Sequence, residues 1–336
     1  MRRSTLAAYL VSSCVSLSLI LSACGSGDPT TEGTIGTGPT AITQQPDAAA
    51  DPSIDQFPAA GGRTLEQVAK EARPGTNFAP GTGTYVPGEN RIAFGLLNDQ
   101  NEILYAPTAV YVARTPASPA KGPFLAPADS LVTEPPYRSQ NAASDSDPFA
   151  SIYAADVELP EAGNWSVLVL SDTGDGLIGA TEGLRVAAKS PIPQIGDLAP
   201  VVSTDTVGDV SDISKIDTRT PPDDMHGVDA ADVIGEKPVA LLFATPALCE
   251  SRVCGPVTDI AEQLRDEYGD QVEFIHQEVY VDNDPSKGLR QPLLDFRLRS
   301  EPWLFTIDAE GRVTERLEGS FGVGEFEEAV NAAIDG

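Results

Sequence analysis

Two cysteines, Cys249 and Cys254, lie where an apolar run leads through a short loop into an amphipathic segment. Residues 239–243 are continuously apolar, as in a strand that is buried on both faces. Residues 256–268 repeat apolar side chains at helical spacing, and Pro256 suits the first turn of that helix. A helix N-terminus carries partial positive charge and free N–H groups, which favour a thiolate over a thiol. The sequence therefore predicts thiol chemistry at this cysteine pair.

The first 24 residues have the pattern of a secretory signal. Arg2 and Arg3 precede an apolar stretch over residues 6–20, which is followed by Leu-Ser-Ala-Cys24. This ending resembles the lipobox of bacterial lipoproteins, and the resemblance implies removal of residues 1–23 and lipidation of Cys24. We therefore expect a lipid-anchored protein on the extracytoplasmic face of the cell membrane. An ordinary secretion signal or a membrane-spanning helix is the alternative.

The cysteine count and the net charge limit the cell compartment and the kinds of partner that we expect. Cys14 would leave with the signal and Cys24 would carry lipid, so Cys249 and Cys254 remain as a pair in an oxidising compartment. We expect this pair to be disulfide-bonded at rest or to cycle. The formal charge is −28, and loss of the two signal arginines takes it to −30. Such an acidic chain excludes nucleic-acid binding through phosphate contacts, and anionic lipid would repel it.

Composition shifts divide the rest of the chain into three parts. Residues 24–75 are rich in Gly, Pro, Thr and Asp, which predicts a disordered tether. Residues 76–190 hold short alternating strands between turn residues, which predicts an all-β Ig-like sandwich with Trp165 in its core. A long Pro-rich loop within it, residues 116–148, is expected to be disordered. Strands and helices then alternate over residues 191–336, which predicts an α/β domain.

Four features of this last part belong together. They are the strand ending in Phe243, the Cys254-Gly-Pro turn, the Glu301-Pro302 pair before a further strand, and a closing hairpin and helix. In this combination residues 195–336 resemble the thioredoxin-like superfamily, in its TlpA/Sco-like extracytoplasmic branch. The resemblance implies a thioredoxin-like fold in which Pro302 is the cis-proline that lies beside the disulfide and shapes substrate docking.

The motif departs from that family, whose members carry Cys-Gly-Pro-Cys. Here Val257 takes the last position, and the second thiol is Cys249, upstream. Cys254 can be the nucleophile with Cys249 resolving, or the roles can be reversed; proximity to the helix start favours the first arrangement. A permanent structural disulfide is the alternative to redox activity, since closing so short a loop contributes on the order of 2 kcal/mol.

The predicted function is thiol–disulfide exchange with the thiols of secreted or membrane proteins, with catalytic residues Cys254, Cys249 and Pro302 and no cofactor. Two alternatives remain, a non-catalytic binding lipoprotein with a structural disulfide and a Sco-like copper chaperone. Two thiolates and an imidazole suit Cu(I), and His226 and His276 are the only histidines. Because the cysteine spacing and the strand position of His276 do not fit that family, we interpret His276 as a core residue and assign no metal site.

Overall fold

The computed structural model describes residues 46–144, 149–249 and 251–336. The predicted signal peptide, the lipidation site Cys24 and the tether as far as residue 45 lie outside the described residues and stay predictions. Within the described part of the chain, no helix combines the length and the hydropathy that crossing a bilayer requires. All described residues belong to one compact unit.

Thirteen strands and five α-helices are assigned in the described residues. The strands are β1 (Arg73–Pro74), β2 (Asn77–Pro80), β3 (Gly88–Leu97), β4 (Thr108–Ala113), β5 (Lys121–Leu125), β6 (Ala128–Ser130), β7 (Ser151–Leu159), β8 (Gly163–Asp172), β9 (Leu177–Val186), β10 (Val239–Phe243), β11 (Glu273–Gln277), β12 (Trp303–Ile307) and β13 (Val313–Glu318). The helices are α1 (Asp47–Ala50), α2 (Leu65–Ala69), α3 (Cys254–Tyr268), α4 (Gln291–Asp295) and α5 (Val323–Asp335). Short 3₁₀ turns lie at Ile54–Gln56, Pro135–Tyr137, Ile213–Lys215, Ala230–Asp232, Val281–Asn283 and Pro285–Lys287.

Two sheets of the first half pack face to face. Their strand orders are β1-β9-β8-β4-β5 and β2-β3-β7-β6, and every pairing is antiparallel except that of β1 with β9. Alternate residues of β3, including Ile92 and Phe94, join Val110 of β4 and Trp165 of β8 in their shared core. Period-2 alternation therefore produces the layered β-structure that the sequence predicts.

The strand order β11-β10-β12-β13 forms the third sheet, in the second half. Strand β11 is parallel to β10, while β12 and β13 are antiparallel to their neighbours. One face packs against α3 and α5 through side chains such as Leu242, Ile260 and Phe326. The other face packs against the chain around α4. The predicted order of strands and helices is present, with β10 and β12 at the predicted bounds.

The sheet of β2, β3, β7 and β6 is covered on its second face by the helices of the second half. Ala93 and Ile152 share one core with Phe321, Phe326 and Val330. The predicted boundary at residue 190 therefore does not separate the apolar cores. The two-domain division stays a prediction.

Polar contacts reinforce this junction. Arg91 of β3 donates from Nη1 to the Glu318 carbonyl at 2.9 Å and from Nε to Glu325 Oε1 at 2.5 Å. Helix α5 has no side-chain cap of its own, and Asp129 accepts hydrogen bonds from the Gly324 and Glu325 N–H groups. The first half of the chain thus supplies the cap of the last helix.

Two predictions of disorder are wrong over the described residues. In the expected tether, Phe57, Leu65 and Val68 are buried against β4 and β8. In the expected disordered loop, β5, β6 and a turn at Pro135–Tyr137 are formed. Both segments are poor in apolar residues, but the few that they have fill the surfaces of sheets already assembled, and the burial of those residues offsets the cost of ordering the chain.

Candidate redox site at the start of helix α3

The loop between β10 and α3 folds back so that its cysteine faces the helix. A turn after β10 closes with a hydrogen bond from the Cys249 N–H to the Thr245 carbonyl at 3.1 Å. Arg252 then has a φ of 63°, a left-handed conformation that reverses the chain before Cys254 begins the helix. This reversal brings the Cys249 sulfur to the first N–H groups of α3.

Cys249 has the environment of a reactive thiol. It is partly exposed, and both cysteines are free thiols. The thiol of Cys254 donates a hydrogen bond to its sulfur, Ser251 lies 3.1 Å from it, and the main-chain N–H groups of Cys254 and Val253 also point at it. These hydrogen bonds outweigh partial burial and lower the pKa of Cys249 to about 6.

Cys254 has the opposite environment. Its side chain is fully buried in the core between α3 and the third sheet. Burial raises the pKa of the Cys254 thiol well above its ordinary value, and the neighbouring Cys249 raises it further. The sequence favoured Cys254 as nucleophile, but these environments favour Cys249. The N–H groups at the helix start point at the Cys249 sulfur, and the Cys254 side chain points into the core. Which cysteine attacks stays a prediction.

Pro302 lies at the same edge of the sheet as the cysteine loop. Phe243, the last residue of β10, pairs with Trp303, the first residue of β12. Pro302 precedes Trp303 and therefore lies just beyond the sheet at the end where the cysteine loop begins. The peptide bond between Glu301 and Pro302 is cis. Whether Pro302 positions a partner is not tested by this placement and stays a prediction.

Two further side chains flank the sulfurs. Tyr280 donates from its hydroxyl to Glu301 Oε1 at 3.3 Å. Burial raises the pKa of Tyr280 to about 12, with Glu301 and the cysteine sulfurs adding to the effect. Sequence reasoning identified Glu301 only as a neighbour of Pro302 and missed Tyr280, because residue 280 follows β11 and no motif marks it.

A cleft of about 610 Å³ opens beside Cys249, and one wall comes from the first half of the chain. We name residues 133–144 the strap. Asn141 of the strap donates from Nδ2 to the Pro246 carbonyl at 2.6 Å. Its carbonyl oxygen lies so close to Gly255 that a Cβ there would sit 2.6 Å from it. Gly255 thus allows the strap to lie directly on the first turn of α3.

A buried ion pair fastens the strap. Asp259 of α3 accepts hydrogen bonds from the Ser139 N–H and hydroxyl, both at 3.0 Å, and from Arg219 Nε at 2.9 Å. Arg219 also donates from Nη2 to the Tyr137 carbonyl at 2.6 Å. The Asp259 and Arg219 side chains are only 1% and 4% exposed. The strap was not recognised from the sequence, since nothing in its composition indicates which helix it contacts.

The two histidines lie next to each other, in a group of polar side chains that contains neither cysteine. His276 Nδ1 is 2.8 Å from Asp223 Oδ2, and its Nε2 is 3.2 Å from the Ala244 carbonyl, in agreement with a core histidine. Burial lowers the pKa of His276, but the charge and hydrogen bond of Asp223, together with the charges of Asp217 and Glu278, outweigh it and raise the pKa to about 10. His226 packs against it with ring centroids 5.0 Å apart, and burial lowers the pKa of His226 to about 4.

Comparison with known proteins gives only distant matches. No protein-family model matches the chain, and no curated protein matches it. Among solved structures, a putative thiol:disulfide interchange protein DsbE from Chlorobium tepidum matches with 16% identity and a TM-score of 0.31, covering 42% of this chain and 99% of that one. MTB dsbF matches with 19% identity and a TM-score of 0.26, covering 32% and 90%. A thiol:disulfide interchange protein of the thioredoxin family from Chlorobium tepidum TLS matches with 16% identity and a TM-score of 0.28, covering 44% and 99%. At these identities and TM-scores no residue role or activity transfers to this chain.

Proposed function

We propose that this chain is a thioredoxin-like thiol–disulfide exchange protein that acts on the thiols or disulfides of secreted or membrane proteins. The proposal rests chiefly on one observation, a partly exposed Cys249 with a pKa of about 6 beside a buried Cys254. Strand order and helix placement in residues 239–335 support it, because β10 leads directly into the cysteine loop and α3.

The exchange proceeds in two displacements. The Cys249 thiolate attacks one sulfur of a partner disulfide, forms a mixed disulfide and expels the other partner sulfur as a thiolate. Cys254 then loses its proton and attacks Cys249, which forms the Cys249–Cys254 disulfide and releases the second partner thiol. The partner gains two electrons and the cysteine pair loses two, so an external dithiol must reduce the pair before the next cycle.

The mixed disulfide itself removes an obstacle to the second step. While Cys249 is a thiolate, its charge helps to keep Cys254 protonated. Once Cys249 is bonded to the partner that charge is gone, and the pKa of Cys254 falls although burial persists. Deprotonation of the resolving thiol is thereby coupled to formation of the bond that it must break.

Trapping tests this assignment. Cys254→Ser should accumulate a mixed disulfide through Cys249 with a disulfide-containing protein, detected as a reductant-sensitive band on non-reducing gels. Cys249→Ser is the matched control and should form none. Trapping by Cys249→Ser alone would restore the roles first expected from the sequence, and trapping by neither variant would contradict exchange.

A non-catalytic lipoprotein held by a structural disulfide is the competing function. A reduction potential below about −300 mV with slow exchange would favour it. Copper delivery has less support, because His276 contacts Asp223 and Ala244, and in the described residues the group of potential metal ligands around it includes neither cysteine.

The location and the domain roles belong to the same proposal. We propose that Cys24 is lipidated, that the protein faces the extracytoplasmic space, and that the Ig-like sandwich helps to bind the partner by contributing the strap as a wall of the cleft. Labelling of Cys24 with a radioactive fatty acid, with Cys24→Ala as the control, tests the anchor. Absence of label on the unaltered chain would contradict it.

A further inference from the structure

Four buried side chains of the second half point their potential ligand atoms at one another. They are Asp217, Asp223, His226 and His276, and one ligand atom from each lies within 4.8 Å of all the others. All four residues are at most 5% exposed. Both histidines of the 336-residue chain are in this group, which is independent of the cysteine chemistry.

The spacing is that of a small coordination sphere. His276 Nδ1 is 2.8 Å from Asp223 Oδ2, His226 Nε2 is 3.4 Å from Asp223 Oδ1, and the same Nε2 is 3.8 Å from Asp217 Oδ2. Tetrahedral bonds of about 2.0–2.2 Å to Zn²⁺ separate neighbouring ligand atoms by about 3.3–3.6 Å. Shifts of between a few tenths and about one ångström would therefore convert the cluster into a four-coordinate site.

Outer contacts orient two of the ligands. The Ala244 carbonyl lies 3.2 Å from His276 Nε2 and can accept its proton, which leaves Nδ1 to face the cluster. The Asp217 carboxylate accepts from the Arg219 and Asp223 N–H groups, at 2.7 and 2.8 Å. Such second contacts are typical of histidine and carboxylate ligands that hold a metal ion.

One member of the cluster is unexplained by protein contacts alone. An ion pair between His276 and Asp223 accounts for those two residues, but among the described residues neither ring nitrogen of His226 makes a well-directed hydrogen bond. Its nearest polar groups are Asp223 Oδ1, 3.4 Å from Nε2, and the Asp205 backbone. A buried imidazole held only by such weak contacts is costly, and two buried carboxylates need compensating charge. A divalent cation would bond to His226 and balance both carboxylates.

We propose that Asp217, Asp223, His226 and His276 form a structural site for a divalent first-row transition-metal ion of the Zn²⁺ class. Two imidazole nitrogens and two carboxylate oxygens in four-coordinate geometry suit this class. With all four positions filled by protein and no exposed ligand, the ion is structural rather than catalytic. It would fasten the segment of residues 217–226 to β11.

This site would also stabilise the start of the cysteine loop, through contacts with the residues that follow β10. Ala244 is the residue directly after β10, and the Thr218 hydroxyl accepts a hydrogen bond from the Ala247 N–H at 3.1 Å. Ordering residues 217–226 therefore also orders the turn that leads to Cys249. The proposal does not depend on redox activity, so each can fail without the other.

Metal content is the first test. The full chain, stripped with a chelator and then incubated with excess Zn²⁺ and desalted, should retain one Zn²⁺ per chain by elemental analysis. Its melting temperature should rise on loading because the ion binds only the folded form. Retention of no Zn²⁺ by the unaltered chain overturns the proposal.

Variants assign the ligands. Asp217→Asn and His226→Gln should each lower the Zn²⁺ affinity by at least tenfold, measured against a chromogenic chelator. The matched control is Asp224→Asn, since Asp224 lies beside Asp223 in sequence but its side chain is 80% exposed. Cys249→Ser should also retain one Zn²⁺. Loss of Zn²⁺ from the Cys249→Ser variant would assign the ion to the thiols and overturn the proposal.

Cobalt substitution covers the case in which the ligand variants fail to fold. Co²⁺ bound to the unaltered chain should give the strong visible d–d bands of a four-coordinate ion. Thiolate ligands would add sulfur-to-cobalt charge transfer in the near ultraviolet, and the proposal requires that this be absent. Weak octahedral bands, or thiolate charge transfer, would contradict the site.

Discussion

At the scale of residues, the chemistry depends on which sulfur receives the helix N–H groups. The sequence places Cys254 nearest the helix start, yet burial turns its thiol inward and leaves the N–H groups of Val253 and Cys254 to Cys249. Burial opposes ionisation of one sulfur, while hydrogen bonds favour ionisation of the other. The two thiols therefore differ in acidity and exposure, which suits the attacking and resolving roles that we propose for them.

The first prediction is the pH dependence of Cys249. Alkylation of the reduced chain by iodoacetamide should rise with pH through a midpoint near 6, because a depressed pKa keeps the thiolate down to lower pH. Cys254→Ala should move the midpoint upwards by removing the largest stabilising hydrogen bond, and Ser251→Ala should move it less. A midpoint near that of a free cysteine in the unaltered chain would contradict the assignment.

At the scale of elements, the strap and α3 form one unit. Asp259 lies in the second turn of α3 and holds Ser139 and Arg219 at once. Breaking a buried ion pair by removing one partner leaves an uncompensated charge and costs about 3–5 kcal/mol. The strap is therefore a fixed wall of the cleft rather than a loose loop.

Asp259→Ala tests that wall. We expect it to lower the free energy of unfolding by about 3–5 kcal/mol and to speed proteolysis within the strap. The matched control is Asp266→Ala on the same helix. Asp266 is exposed, and in the described part of the chain its contact with the strap is one exposed hydrogen bond from the Tyr137 hydroxyl. The control should cost about 1 kcal/mol or less in denaturant unfolding; equal effects of the two variants would disprove the role of the ion pair.

Gly255→Ala tests the close approach of the strap to the helix. Its Cβ would lie 2.6 Å from the Asn141 carbonyl oxygen, so the strap must move, and we expect a loss of about 1–3 kcal/mol in unfolding free energy. Gly227→Ala is the control, because no atom lies within 4 Å of a Cβ there. An unchanged urea unfolding midpoint for Gly255→Ala would show that the strap can move away from α3 without loss of stability.

The sequence predicts elements better than it predicts contacts between them. Continuous apolar runs and alternation located β10, β12 and β7 at their bounds, since burial on fixed faces leaves a local period. The strap has no such period, because Asn141 and Ser139 make isolated polar contacts with residues more than a hundred positions away. For the same reason, the spacing of the cysteines predicted that the two thiols act as a pair but not which of them is buried.

At the scale of the whole molecule, the two halves share a core. Phe326 of α5 packs in one cluster with Ala93 and Ile152 of the first half, and Asp129 caps α5. Separating the halves would expose these apolar side chains to water. The described chain should therefore unfold as one cooperative unit.

The two tryptophans can report on this cooperativity. Trp165 is buried in β8 and Trp303 in β12, so Trp303→Phe and Trp165→Phe each leave one fluorescent reporter in one half. We expect fluorescence of each single-tryptophan chain to give the same urea midpoint as circular dichroism of that chain. Midpoints that differ between probes would indicate halves that unfold independently.

Gly255 and Asn141 have an evolutionary corollary. The wall beside Cys249 is built from a segment that precedes the thiol-bearing unit in the chain. Under the proposed function, partner selection and thiol chemistry would therefore be encoded in different stretches of the gene. Mutations in residues 133–144 would then change the choice of partner without changing the sulfurs at the first turn of α3.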